Sequence, residues 1–183
     1  EVVTTRSRVK TDPPAVIRTG SLEDAPRLTV IEDAADALLI DLLTPVRWAP
    51  APDGEVRLGM PGFVLVVSES AEAEPVGFVH VIELEGVAHL EQLSVEPGHT
   101  RRGLGRALVE AAKAEAGERG YESITLRTYA DVPWNAPFYA TCGFAESEPG
   151  TAFHRELVET ERGLGLTQYG RRIQMTAKLP RTR

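Results

Sequence analysis

The chain has 183 residues, a length suited to one domain that buries about 70% of the surface its unfolded chain would expose. Its 42% hydrophobic and 26% charged residues are an ordinary globular mixture, which excludes wholesale disorder. The 27 acidic residues outweigh 20 basic ones, and the resulting net charge of −7 repels phosphate backbones and argues against a nucleic-acid partner. No stretch approaches the roughly 18 apolar residues of a membrane span. Residues 1–6 lack the apolar core of a secretory signal, and the single Cys142 has no partner for an internal disulfide. These features imply a cytoplasmic protein with no membrane partner.

Residues 1–14 are polar, end in Pro13-Pro14, and read as a flexible leader to a single domain over 15–183. Ala15 to Arg18 is a short strand. Ser21 suits a helix N-cap, and apolar Leu28, Ile31, Ala35, Leu38, Leu39 and Leu42 follow at helical spacing until Pro45. Thr44 to Gly62 holds four prolines and three glycines, which predicts no regular element across all of it, while Trp48 implies that this loop packs on something. Strands are predicted over Phe63–Val67, Val76–Leu84 and Val87–Val95, joined by turn residues short enough for an antiparallel meander. Leu104, Ala107, Leu108 and Ala111 then mark a helix ending near Gly117 to Gly120. A strand over 122–127, a short helix over 136–142 stopped by Gly143, and a last strand over 172–179 complete the pattern. The implied class is α/β (α+β), with one strand–helix–strand crossover.

The most informative segment runs from Leu93 to Leu108. A strand ends, Pro97-Gly98 turns the chain, and a helix opens at Gly103-Leu104-Gly105 among Arg101, Arg102 and Arg106. Cations oppose the positive end of a helix dipole, so a bound anion would relieve them, and glycine lets backbone amides approach a diphosphate. A second copy, Arg162-Gly163-Leu164-Gly165, follows a helix-like stretch instead of a strand and reads as a helix stop. No Gly-Lys-Ser/Thr follows the first copy, which excludes a P-loop. Leu108 occupies the third glycine position of the dinucleotide fingerprint, which fails too.

Val95-Glu96-Pro97 followed by Gly103-Leu104-Gly105 resembles the cofactor-binding signature of the GNAT superfamily of N-acetyltransferases, with Thr100 where that signature places Gln or Arg. Pro133-Trp134-Asn135-Ala136-Pro137-Phe138-Tyr139, continuing to Gly143-Phe144, resembles the family's fourth-helix motif in the form of a bacterial subgroup. The resemblance spans about residues 15–179. It implies a mostly antiparallel sheet of six or seven strands flanked by helices, with acetyl-CoA as cosubstrate between the fourth and fifth strands. The implied reaction is direct acetyl transfer to an amine of a small molecule or protein.

Such chemistry needs a deprotonated amine, although a free alkylamine has a pKa near ~10. It also needs a donor to the developing oxyanion and a proton for the departing thiolate. By the resemblance, Tyr139 is the proton donor and either Glu91 or His89, on the fourth strand, is the base; spaced two apart, they share a face of a regular strand. The Leu93 amide would polarise the acetyl carbonyl at a bulge. Leu93, Ser94 and Val95 would border the cofactor arm, and residues 101–106 would hold its pyrophosphate. Asn135 either bonds that arm or caps a helix. Cys142 reads as packing, and His99 and His154 lack metal-site spacing. A non-catalytic acyl-CoA sensor is the competing function, and either a monomer or a homodimer is compatible.

Overall fold

The computed structural model describes residues 15–180; the leader predicted over 1–14 lies outside the described residues. Seven strands form one sheet: β1 (Val16–Thr19), β2 (Phe63–Ser68), β3 (Pro75–Leu84), β4 (Val87–Val95), β5 (Ser123–Tyr129), β6 (Ala145–Ser147) and β7 (Arg172–Lys178). Their order is β1-β2-β3-β4-β5-β7-β6. Every pairing is antiparallel except β4 with β5. That parallel pair is the one that requires a crossover, supplied by α3 (Leu104–Glu118).

The alternation of side chains along each strand sorts the core into two layers. Val64 and Val66 of β2 and Phe78 of β3 receive Leu28 and Ile31 of α1 (Ala25–Leu43) on one face. On the other face, Leu65, Val67, Val79 and Val81 pack with Leu104, Leu108, Val109, Ala112 and Ala116 of α3. Helix α1 starts where Ser21 donates its backbone N–H to the Asp24 carboxylate at 2.8 Å. It stops at left-handed Thr44, one residue before Pro45.

The structure refines one expectation and corrects another. No element spans residues 44–62, but they hold a short helix that the sequence did not single out, α2 (Gly54–Gly59). A Cβ at position 54 would run into the Ala25 carbonyl, so glycine alone allows α2 to dock on the start of α1. The Gly54 amide then donates to Thr29 Oγ1 at 2.9 Å. The fourth strand, moreover, is not regular. His80 pairs with Gln92 and Val81 with Leu90, leaving Glu91 as an extra residue, a bulge that breaks the simple alternation of His89 and Glu91. Strand β6 and most of α5 (Ala152–Gly163) were not foreseen, although α5 does end at the predicted stop, with Gly165 at φ +72°. Among the described residues no helix is long and apolar enough to cross a membrane.

Candidate active site

Strands β4 and β5 pair only at His89–Thr125 and Leu90–Leu126. Beyond Leu90 they separate, and the β4 edge over 91–95 faces an open cleft. At the end of that edge the chain turns through Pro97–His99, and Arg101 and Gly103 adopt left-handed conformations at φ +61° and +78°. The first amide of α3 to find an acceptor is that of Ala107, on the Gly103 carbonyl at 2.9 Å. The six amides of residues 101–106 donate to nothing among the described residues. A helix start with unused amides and its dipole behind them suits an anion. Space around Gly103 is empty: a Cβ there would meet no atom within 4 Å.

Two of the three clustered arginines have protein partners. Arg102 pairs with Glu69 at 2.6 Å, and Arg106 donates to the Thr141 carbonyl and hydroxyl at 2.9 and 2.7 Å. Arg101 is exposed, with no ion pair among the described residues. The turn thus presents its backbone amides together with the Arg101 side chain.

The cleft itself has a volume of about 810 Å³ and gathers Glu91, His89, Leu93, Ser94, Asn135 and Tyr139 along one lining. Residues 101–106 lie outside that lining, past Val95 on the same strand edge. Tyr139, on α4 (Ala136–Thr141), is packed edge-on between Phe138 and Phe144 at 5.2 and 5.8 Å. Its hydroxyl has no partner among the described residues and opens on the cleft. Burial pushes the phenol above its ordinary range, so it carries its proton at neutral pH. Asn135 occupies the N-cap position of α4 but makes no side-chain cap bond, which leaves its amide to the cleft. The Ser94 hydroxyl is buried and accepts from Gln92 Nε2 at 3.0 Å.

Glu91 is exposed to the cleft yet ringed by protein, and this desolvation raises its carboxyl above the usual range, with Arg57 pulling the other way. His89 is buried, and burial together with His154 and Arg127 pushes its imidazole down to about 3. A neutral buried histidine favours the fold above its unfolded pKa near 6.5, and the benefit is lost as pH falls toward the folded value. Replacing His89 by glutamine removes that dependence. The stability advantage of wild type over the variant is expected to shrink by roughly 2–3 kcal/mol between pH 7.5 and 4.5, measured by denaturant titration; a gap constant across that range would contradict the assignment.

Several residues of the cleft wall escaped sequence reasoning. Arg57, on the unforeseen α2, is buried and grips Glu32 of α1 with two bonds, Nε to Oε2 at 3.0 Å and Nη2 to Oε1 at 2.7 Å. Its Nη1 donates to His80 Nδ1 at 3.1 Å, so that nitrogen carries no proton, in keeping with an imidazole pushed down to about 4 by burial and Arg57. Burial raises Glu32 to about 7 against the pull of Arg57. Opposite, Arg127 of β5 and Arg172 of β7 converge on Glu161 of α5 at 3.0 and 2.7 Å. Burial would raise that carboxyl, but the two guanidiniums outweigh it and hold it below its ordinary range. One signal for this wall is present in the sequence: Thr125, Arg127 and Tyr129 alternate with the core residues Ile124 and Leu126, a polar face on a central strand.

Among the described residues no cluster of His, Cys, Asp and Glu could hold a metal, and Cys142 is a buried packing residue. The Acetyltransferase (GNAT) family model matches residues 34–144. A mycothiol acetyltransferase from Clavibacter sepedonicus is 30% identical over 155 residues; the match covers 79% of this chain and 49% of that protein, so the chain spans about half the length of this relative. The ribosomal-protein-S18-alanine N-acetyltransferase of Escherichia coli superposes with a TM-score of 0.64 at 20% identity, covering 93% of this chain and 97% of that one. The PaiA N-acetyltransferase of Thermoplasma acidophilum, solved in complex with coenzyme A, gives 0.64 at 17% identity, covering 90% and 99%. With the strand–turn–helix amides, the splayed β4–β5 pair and the family match over more than half its length, the chain belongs to the acetyltransferase (GNAT) family.

Proposed function

We propose that residues 15–183 form a single acetyl-CoA-dependent N-acetyltransferase domain acting on a primary amine of a small molecule or protein. The observation that carries this reading is the row of six unused amides at the start of α3, joined by the free edge of β4 to a cleft holding an acid and a base. The cosubstrate fits that row because a diphosphate needs backbone donors without obstructing Cβ atoms, and Gly103 leaves that space open. When bound, it supplies the activated acetyl group and a thiolate leaving group. The form of the motif around Trp134 and Asn135 favours the bacterial subgroup named above. The relatives' names cover both a protein amino group and mycothiol, and the same choice is open here.

The chain's residues divide the work as follows. Main-chain groups of residues 101–106 hold the pyrophosphate, and the free edge of β4 at Val95 pairs with the pantetheine arm as an added strand would. The Leu93 amide stabilises the negative charge that develops on the acetyl oxygen. Glu91 is the better base: burial raises its carboxyl and so makes it a stronger proton acceptor, whereas an imidazole near 3 is too weak to hold the proton. Tyr139 returns a proton to the departing thiolate.

Following thiol release from acetyl-CoA across a panel of amines tests the reading. Turnover on at least one amine supports it, and tight coenzyme A binding with no turnover would favour the sensor. In Glu91→Gln, kcat/KM is expected to fall by about a hundredfold. The acidic limb of the pH–rate profile, which in wild type reports protonation of this carboxylate, should disappear. A variant with the wild-type profile would remove Glu91 from the mechanism.

A further inference from the structure

His89 is joined to a second cavity by side chains alone. Its Nδ1 lies 2.8 Å from Thr125 Oγ1, the same hydroxyl lies 3.0 Å from His154 Nε2, and His154 Nδ1 lies 2.9 Å from Thr151 Oγ1. His89 lines the main cleft. Thr125, His154 and Thr151 line a separate cavity of about 390 Å³, where residues 86–88 meet 120–125 at the far end of the β4–β5 pair. His89, Thr125 and His154 are all buried, and Thr151 is exposed. An unbroken chain of donor–acceptor groups thus runs through a hydrophobic sheet from the reaction cleft to a different surface.

Hydrogen bonding of two histidines for stability alone would not require them to share one hydroxyl. A threonine hydroxyl has one proton to give and lone pairs to receive, so between two imidazoles it donates to one and accepts from the other. The chain therefore has two arrangements that differ only by the passage of a proton. In one, His89 Nδ1–H donates to Thr125, Thr125 to His154 Nε2, and His154 Nδ1–H to Thr151, leaving Nε2 of His89, a residue of the cleft lining, without a proton. In the other, every bond is reversed and His89 Nε2 carries a proton. Charged groups near the chain are Arg127 on β5 and Glu161 on α5, whose ion pair anchors one side of it.

We propose that His89, Thr125, His154 and Thr151 form a proton exit that carries the proton lost by the acceptor ammonium out of the occupied cleft to water in the second cavity. This rests on the acetyl-transfer reading, in which an ammonium and a thioester become an amide, a thiol and one released proton. The ammonium N–H bond breaks as Glu91 takes the proton, and His89 Nε2 gains it from Glu91 in step with the loss of its own Nδ1 proton. His89 Nδ1–H then passes to Thr125 Oγ1, the Thr125 proton to His154 Nε2, and His154 Nδ1–H to Thr151, whose own proton leaves to water. No group is oxidised or reduced, and no imidazole accumulates charge. When products depart and the cleft readmits water, His89 Nε2 releases its proton there and the chain runs back.

The test compares wild type, Thr125→Val, Thr125→Ser and His154→Gln on an amine that the panel identifies, in H2O and D2O at saturating acetyl-CoA. Valine keeps the shape of threonine without the hydroxyl. Glutamine can keep a hydrogen bond to Thr125 but cannot relay a proton, so it serves if the valine variant fails to fold. In Thr125→Val and His154→Gln, kcat is expected to fall about tenfold with KM for acetyl-CoA unchanged. The bowed proton inventory of wild type, which signals several protons in motion, should become linear, and Thr125→Ser should restore both. Folded variants with wild-type kcat and a wild-type inventory would overturn the exit while leaving acetyl transfer intact. A wild type that turns over no amine would overturn the parent reading and the exit with it.

Discussion

Replacing Gly103 by aspartate is expected to leave the protein folded and to weaken coenzyme A binding by about a hundredfold. The position is left-handed at φ +78° with open space where a Cβ would go, and aspartate is among the residues that tolerate that region. It is also a favoured residue at a helix N-cap, the place that Gly103 holds in α3. Stability should therefore change by less than about 1–2 kcal/mol, the small left-handed cost offset by the cap. The carboxylate would occupy the very amides a pyrophosphate needs and would repel its charge. Gly103→Asn has nearly the same shape without the charge and should lose far less affinity. Thermal melting and calorimetric titration measure both quantities on the same samples. Equal losses for aspartate and asparagine would attribute the effect to bulk, and an aspartate variant binding like wild type would remove the amides of residues 101–106 from the binding site.

Tyr139→Phe carries the second large effect: kcat is expected to drop by about 10²–10³ with KM for acetyl-CoA nearly unchanged. The ring is held by Phe138 and Phe144, contacts that phenylalanine retains. Because the hydroxyl bonds to nothing among the described residues, its removal strands no buried partner. The loss should thus fall on the chemical step and not on folding. Burial holds the phenol above its ordinary range, so wild-type kcat should show no descending limb from this group up to at least pH ~9.5. A phenylalanine variant with wild-type kcat would assign thiolate protonation to another group.

What could be read from the chain follows from how local each feature is. The α3 start was legible because strand, turn and Gly-x-Gly are contiguous in sequence and because the backbone, not a distant side chain, forms the site. The β2–β4 meander was legible because its joins are short and its strands rich in β-branched residues. Helix α2 was not, since its six residues sit among prolines and glycines and its reason for existing is tertiary: Gly54 lets it press against Ala25, 29 residues earlier in the chain. The bulge in β4 was implied by the family resemblance, but no glycine or proline marks it, so its position at Glu91 comes only from the pairing with β3. Thr125 and His154 meet across 29 residues, and Arg57 meets Glu32 and His80 across 25 and 23. No spacing rule spans such separations. The part of the site built from a single strand and one helix start was visible in sequence; the cleft wall built from α1, α2, β5, β7 and α5 together was not.

Titrating the wild-type protein with coenzyme A and, separately, with pantetheine is the most direct measurement of where the cosubstrate is gripped. Pantetheine keeps the thiol arm that would lie along β4 and lacks the pyrophosphate that the six amides would hold. Binding of coenzyme A at least a hundredfold tighter than pantetheine, about 2.7 kcal/mol, is the predicted result. Equal affinities, or no heat with coenzyme A, would contradict it.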